Sequence, residues 1–404
     1  MKLHQLRFRT VTLLLVIINL AISFVWWSIN PPRSWGYDEF LINYSEGFVR
    51  RGFPGTILLA TYQALGVPPL VLLYGLLITI ILLITFLVFN QLRSLKLLGD
   101  IPFLLILANP TLILFATSQD TFLRKDWFIT LGLLLHGAIS MRIKLNTLKS
   151  RHYEIFLLLL IVYLTLISLS HEVNIFFIPI HIFMILQNAK IFLIKNKSYK
   201  FICALIASQI PILLLTIVFH GNPEMQSSMS DSLPNALVPG IENHPAIEAL
   251  GWSFQENLTY VALMLNFNTI SFYVAIFICG PGLIFWHTLR HSLRLHKMIF
   301  TYLLFLQILL LVFGWDWGRW ISLISFCLIG LIPFALPEKE PKPIKHRFKL
   351  DREYKIKNIY VKLLLITILG YIQVPSFGPQ QDYLLPFSNL IRIIYVIANN
   401  YGLI

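Results

Sequence analysis

Charge is what this sequence has least of. Only 13% of its 404 residues are Asp, Glu, Lys or Arg, and mean hydropathy is +0.73. A soluble domain carries about 25% charged residues, so a sizeable soluble domain is excluded. Cysteine is also scarce. Cys203, Cys279 and Cys327 fall inside apolar runs without metal-ligand spacing and read as packing residues. Strict apolar–polar alternation is absent, which excludes a closed membrane barrel. No Gly-rich dinucleotide fingerprint or P-loop occurs, so no soluble nucleotide-binding unit is indicated. Internal repeats and low-complexity tracts are missing as well.

What remains is hydrocarbon. Runs near twenty residues without charge match a bilayer core of about 30 Å. The reading predicts an all-α, polytopic integral membrane protein, one transmembrane domain over 1–404. About eleven spans are expected, near 11–29, 68–90, 101–117, 127–143, 155–171, 173–189, 200–220, 270–288, 298–314, 320–336 and 359–375. Val11 to Ile29 reads as a span rather than a cleaved signal. It has no small-residue cleavage site and ends near Trp26 and Trp27, which suit an interface. The stretch 258–289 is long for one span and is read as one span preceded by an interfacial or re-entrant segment.

The few charges are unevenly placed. With the N-terminus in the cytoplasm, the inner connections hold 24 of the 32 Lys and Arg, eight of them in a basic loop at 337–358. Thirteen of the 19 acids fall on the other side. Positive-inside bias of this strength sets orientation. The net charge of +13 then describes loops facing the cytoplasmic leaflet, and no nucleic-acid partner is implied. The expected location is a bacterial inner (plasma) membrane. A long outer loop at 221–269 is placed to lie over the outer face as a lid, and 376–404 is a C-terminal outer segment.

Four charged motifs land at outer helix ends: "YDEFLINYSEGFVRRG", "SQDTFLRKDW", "SHEVN" and "GWDWGRW". Seven basic residues lie outside, and five of them, Arg50, Arg51, Arg124, Lys125 and Arg319, sit in these motifs beside acids. In the first motif Tyr37, Phe40, Leu41, Tyr44 and Phe48 form one helical stripe, and Glu39, Asn43, Glu46 and Arg50 another. That predicts an outer interfacial helix within 37–55, its polar face toward water or protein, ended by Gly52 and Pro54-Gly55. A plainer reading stands beside the functional one. Charges at span ends often snorkel, and Arg124-Lys125-Asp126 and Asp316 to Arg319 read equally as ion pairs locking helix ends. His171-Glu172 at a turn is a poor choice for packing alone. His136 and His181, within spans, read as packing or interhelical hydrogen-bond groups.

Carboxylates can take a proton from an attacking hydroxyl, and Arg can hold phosphate oxygens bidentately. Candidate catalytic residues are therefore Asp38, Glu39, Glu46, His171 and Glu172. Candidate substrate-binding residues are Arg50, Arg51, Asp120, Arg124, Lys125, Asp126, Asp316 and Arg319. An acid-bearing first outer loop directly after span 1, as in "GYDEF", followed by many spans and a second acidic outer loop, resembles the polytopic GT-C glycosyltransferases. The same plan with outer Arg residues resembles polysaccharide polymerases of the Wzy and EpsG type. The resemblance implies a polyprenyl-phosphate or -pyrophosphate sugar donor, a glycan acceptor, membrane lipids as surroundings, and a catalytic Asp38 or Glu39. No cofactor is expected, with a divalent metal left open. The sequence departs from the metal-dependent branch in having no Asp-x-Asp. A transporter or lipid-linked-glycan flippase, and a non-catalytic scaffold of an envelope-assembly complex, are the competing readings. Cysteines introduced in 37–51, 118–126 and 315–319 should react with an impermeant thiol reagent from outside, and those in 142–152 or 340–355 should not. Labelling of 315–319 from the cytoplasm alone would overturn the shared-face assignment.

Overall fold

A computed structural model describes residues 35–94, 122–192, 195–233, 245–252, 254–264, 267–288, 295–313 and 317–335, with the single positions 21, 25, 111 and 112. These residues are helical, with no strand among them. Most of the expected spans at 11–29 and 101–117, the one at 359–375, the 337–358 loop and the 376–404 segment lie outside them.

Four helices among the described residues are long and apolar enough to cross a membrane: Pro69–Gln91, Ser150–Ser170, Glu172–Phe192 and Lys197–Val218. They coincide with the expected spans near 68–90, 155–171, 173–189 and 200–220. The expected eleven are not reached by this measure. The regions near 270–288, 298–314 and 320–336 hold shorter apolar helices, Thr269–Phe285, Thr301–Leu310 and Trp317–Gly330. The region near 127–143 is a helix, but His136, Ser140 and Arg142 dilute its apolar character.

In chain order the first helices are α1 (Trp35–Leu41), α2 (Gly52–Leu65), α3 (Pro69–Ser94), α4 (Asp126–Lys144) and α5 (Ser150–Ser170). A 3₁₀ turn at Glu172–Phe177 leads into α6 (Ile178–Phe192) and α7 (Lys195–Val218). Next come the short α8 (Pro223–Ser232), α9 (Pro245–Glu248) and α10 (Phe254–Met264). The last are α11 (Phe267–Phe277), α12 (Leu283–Thr288), α13 (Leu295–Phe313), α14 (Trp317–Gly330) and α15 (Ile332–Ala335).

Apolar residues point outward on the peripheral helices: Leu82 and Phe86 on α3, Ile155, Leu158 and Val162 on α5, Ile210, Leu213 and Ile217 on α7. In water such faces would be unstable, and against lipid they are the expected surface. The centre is α14, every residue of which is buried, packed on α4. A helix with apolar residues on every side belongs in such an interior. The backbones of α4 and α14 touch where two glycines face each other. A Cβ on Gly137 would lie 2.4 Å from the Gly330 carbonyl oxygen.

The expected single helix within 37–55 is not formed. α1 stops at Leu41, where the Asn43 side chain takes over the hydrogen bonding. Its amide donates to the Leu41 carbonyl at 3.0 Å, and its oxygen accepts from the Ser45 N–H at 2.9 Å. That is an Asx turn, which competes locally with helix. Gly47 then adopts φ 107°, and the chain turns back to start α2 at Gly52. Gly52 and Pro54 thus begin a helix rather than end one. Proline is tolerated in a first turn, where its missing N–H has no partner to lose. The polar stripe divides between the two expected settings: Glu39 and Asn43 are buried in protein, and Glu46 faces water. Farther along, the helix continues through Gly280-Pro281-Gly282. A π-helical turn at Ile278–Gly282 carries the chain from α11 into α12, a wide turn that absorbs the proline.

The glycine contact gives a direct test. Gly137→Ala should lower the unfolding midpoint in detergent, by overpacking worth about 1–3 kcal/mol. A Cβ on Gly75 would meet nothing within 4 Å, so Gly75→Ala should leave the midpoint unchanged or raise it. Equal effects of the two changes would overturn the close helix approach.

Candidate functional site

The four charged motifs meet at one end of the bundle. α1 brings Glu39 and the following loop brings Arg50 and Arg51. The residues entering α4 bring Arg124, Lys125 and Asp126, the α5–α6 turn brings His171 and Glu172, and α14 brings Arg319. Local structure explains each position. α5 ends at Ser170, and His171 is extended (φ −158°, ψ 106°), so the chain reverses over one residue before the 3₁₀ turn. Asn174 staples that reversal, donating to the Leu164 carbonyl at 3.0 Å and to Ser168 Oγ at 2.8 Å. Asp126 and Arg319 sit in the first turns of α4 and α14.

The side chains form a row of alternating charge. Arg51 Nε–H donates to both Glu172 oxygens at 2.9 and 2.8 Å, and its Nη2 closes on Glu172 Oε1 as well. Its Nη1 donates to Glu39 Oε1 at 3.2 Å. On the far side of Glu39, Arg124 Nη1 stands 3.7 Å from Oε2. His171 lies between two acids, with Nε2 3.3 Å from Asp126 Oδ1 and Nδ1 3.7 Å from Glu172 Oε2. Arg319 clamps Asp126 Oδ2 with Nε at 2.8 Å and Nη2 at 2.7 Å. Lys125 donates to the Arg51 backbone carbonyl at 3.0 Å and stands over the Phe40 ring. Arg319 stands over the Trp320 ring in the same way. The sequence reading missed these two aromatic supports. The adjacent residues are visible in the sequence, but nothing there tells ring support from an interfacial anchor.

Burial shapes the electrostatics. Removal from water would raise the Glu39 pKa, but Arg51 first, then Lys125, His171 and Arg319, hold it down at about 2. Burial pushes Lys125 down to about 8, against the pull of Glu39. Burial favours neutral His171, yet its bonds to Asp126 and Glu172 raise its pKa above the ordinary imidazole value.

Access differs along the row. Glu39, Arg124 and Arg319 are 1–3% exposed at the side chain, while Arg51 is 22% and Glu172 19% exposed. The Arg51–Glu172 pair is thus the open edge of a sealed cluster. Arg50 lies next to it, half-buried, and no carboxylate pairs with it among the described residues. Its Nη2 reaches only the Ala249 carbonyl, at 3.5 Å, and its Nε has no partner. The segment 245–252 covers this edge from α1, with the Trp252 ring 5.8 Å from that of Trp35. Arg51 itself is held at φ 67°. Non-glycine residues reach that region at a cost of roughly 1–3 kcal/mol, most often at functional sites.

The structure does not bring every candidate here. Asp38 is buried within α1. Glu46 is exposed in the turn after Asn43 and touches none of the cluster, because α1 ends before reaching it. Asp120 and Asp316 lie outside the described residues. Among the described residues no three His, Cys, Asp or Glu side chains are arranged to hold a metal ion. No protein-family model, curated protein or solved structure matches the chain.

Linkage supplies the test. A carboxylate with a depressed folded pKa stabilises the fold above its ordinary value and loses that contribution as pH falls through the folded one. The unfolding midpoint should therefore drop between pH 4.5 and about 2. Glu39→Gln, destabilised at neutral pH by an uncompensated buried Arg, should lose less across that window. A parallel decline in both proteins would remove Glu39 from the acid response.

Proposed function

We propose that the protein is a membrane glycosyltransferase or polysaccharide polymerase using a polyprenyl-phosphate-linked sugar at the extracytoplasmic face. The observation that carries this reading is Arg50, a half-buried guanidinium that forms no direct ion pair among the described residues, with Glu172 and Glu39 acting on it only from a distance, at the open edge of a cluster that also offers Arg51 and Glu172. A desolvated cation held only by a backbone carbonyl is costly, and an anionic headgroup would satisfy it. Its place at the ends of lipid-facing helices suits a donor whose tail lies in the bilayer. Arg50 and Arg51 hold the phosphate oxygens. A carboxylate takes the proton of the acceptor hydroxyl as its oxygen attacks the anomeric carbon. The bond from that carbon to the phosphate oxygen breaks, and its electrons leave on the phosphate, steadied by the guanidinium groups. Asp38 and Glu39 are buried, so among the described residues Glu172 is the cluster carboxylate within reach of both Arg51 and an incoming acceptor. The second reading, a transporter or lipid-linked-glycan flippase, is favoured by a buried histidine pair midway along two helices, described below.

Activity per folded molecule decides between binding and mere support. Arg50→Ala should weaken donor binding roughly tenfold to a hundredfold, as for a charged hydrogen-bonded contact of about 1.5–3 kcal/mol, with an unchanged unfolding midpoint. Glu172→Gln should lower turnover by at least about a hundredfold. Arg319→Ala should instead lose folded protein, since breaking a buried pair costs about 3–5 kcal/mol. Unchanged specific activity in the Arg50 and Glu172 variants would sink the reading. Lipid-linked glycans in cells lacking the protein separate the two enzymes: undecorated repeat units accumulate if it polymerises, and one terminal sugar is lost if it transfers a single unit.

A further inference from the structure

His136 lies midway along α4, about 15 Å from Asp126 at 1.5 Å per residue, and faces His181 of α6. Their Nδ1 atoms are 3.1 Å apart. The rings are 13° from parallel, with centroids 5.4 Å apart. The centroids lie far beyond the nitrogen separation, so the rings meet edge to edge and the bond runs between them. Both side chains are wholly buried.

Two neutral imidazoles joined this way use one Nδ1–H and one bare Nδ1. The far nitrogens are then fixed: one ring presents a bare Nε2, the other an Nε2–H. Neither Nε2 has a hydrogen-bond partner among the described residues, and each orphaned group carries a desolvation penalty. Farther along, about two turns from His181, Asn188 ties the same helices by donating to Ser140 Oγ at 2.8 Å and to Tyr153 OH at 3.0 Å. Around the pair, the Phe156 ring of α5 lies 5.6 Å from that of His136. The charged residues of α4 and α6 are at their ends: Asp126, Arg142 and Lys144 on α4, Glu172 and Lys190 flanking α6. No ion pair reaches either histidine among the described residues.

We propose that His136 and His181 form a hydrated proton-transfer site, in which each Nε2 takes a water molecule and a proton crosses the Nδ1–Nδ1 bond. The steps balance. A water-borne proton binds the bare Nε2 of the first ring. The Nδ1 proton of that ring passes to the bare Nδ1 of the second. The Nε2 proton of the second ring leaves to its water. One proton enters and one leaves, both rings end neutral with exchanged tautomers, and the hydrogen bond has reversed direction. The pair therefore resets either by passing a proton back or by turning its rings. His181 lies in a helix long and apolar enough to cross a membrane, and ionisable groups in such helices mark ion pathways and proton relays. This site is independent of the sugar-transfer reading and survives its failure.

The test uses the intact protein, labelled with ¹⁵N-histidine, in lipid bilayers. A ¹⁵N–¹⁵N coupling across the hydrogen bond identifies the pair among the 11 histidines without any variant. The expected result is magnetisation transfer from water to both Nε2 positions, with each ring populating both tautomers. His136→Gln, which can bond but cannot relay, should abolish tautomer exchange at His181 while the unfolding midpoint is retained. One fixed tautomer per ring and no transfer from water would overturn the proposal and leave a dry interhelical bond. If His136→Gln does not fold, the wild-type spectrum decides alone.

Discussion

Arg51 between Glu39 and Glu172, and Arg319 between Asp126 and His171, tie together elements that hydrocarbon cannot order by itself. Lipid tails are as apolar as leucine, so helices in a bilayer gain little from burying apolar faces against each other. Close packing and polar ties must select one arrangement. Here the ties join α1, the approach to α2, the starts of α4 and α14, and the α5–α6 turn. Ion pairs taken out of water cost heavily when any partner is left alone, and the alternating row meets that condition by giving each inner charge an opposite neighbour. Aromatic rings beneath Lys125 and Arg319 add support without adding charge.

The same constraint shows where the cluster is incomplete. In the inner part each charge lies beside an opposite one, although Glu39 Oε2, Asp126 Oδ1 and His171 Nδ1 make no hydrogen bond among the described residues. The balance fails at the exposed edge, where Arg50 has only a backbone carbonyl among the described residues and Arg51 sits in a left-handed conformation. Strain, partial exposure and a guanidinium without a direct ion pair among the described residues coincide at this edge. Structural locking and ligand binding are thus not rival accounts of the whole cluster. The inner row serves the first, and the edge is suited to the second.

The helices that carry the cluster continue inward to a second polar level. α4 runs from Asp126 through His136 to Ser140, and α6 from the Glu172 turn through His181 to Asn188. Both levels place polar groups where α4 and α6 face each other, while the outer faces of α3, α5 and α7 stay apolar. Glycines at the α4–α14 contact bring a wholly buried helix close on another side. α4 is therefore polar along one neighbour and tightly packed along another, which explains why it is central and yet less apolar than the peripheral helices.

Much of this was legible in the chain. Long charge-free runs favour helices in lipid, so the all-α class and the four helices long and apolar enough to cross a membrane follow from hydropathy alone. The clustering of rare charges at span ends marked Glu39, Arg51, Lys125, Asp126, His171, Glu172 and Arg319 as a group, because alternating spans return to the same surface. Local periodicity misled at 37–55. A helical stripe records which residues share a face if the helix continues, and the Asn43 side chain ended it by offering its own hydrogen bonds. That left Glu46 outside the cluster and turned Gly52 and Pro54 into a helix start. Which charges pair, which guanidinium is left over, and that two histidines meet nitrogen to nitrogen were decided by tertiary structure. Those facts depend on angstrom-scale distances between helices remote in sequence, and no spacing along a single chain encodes them.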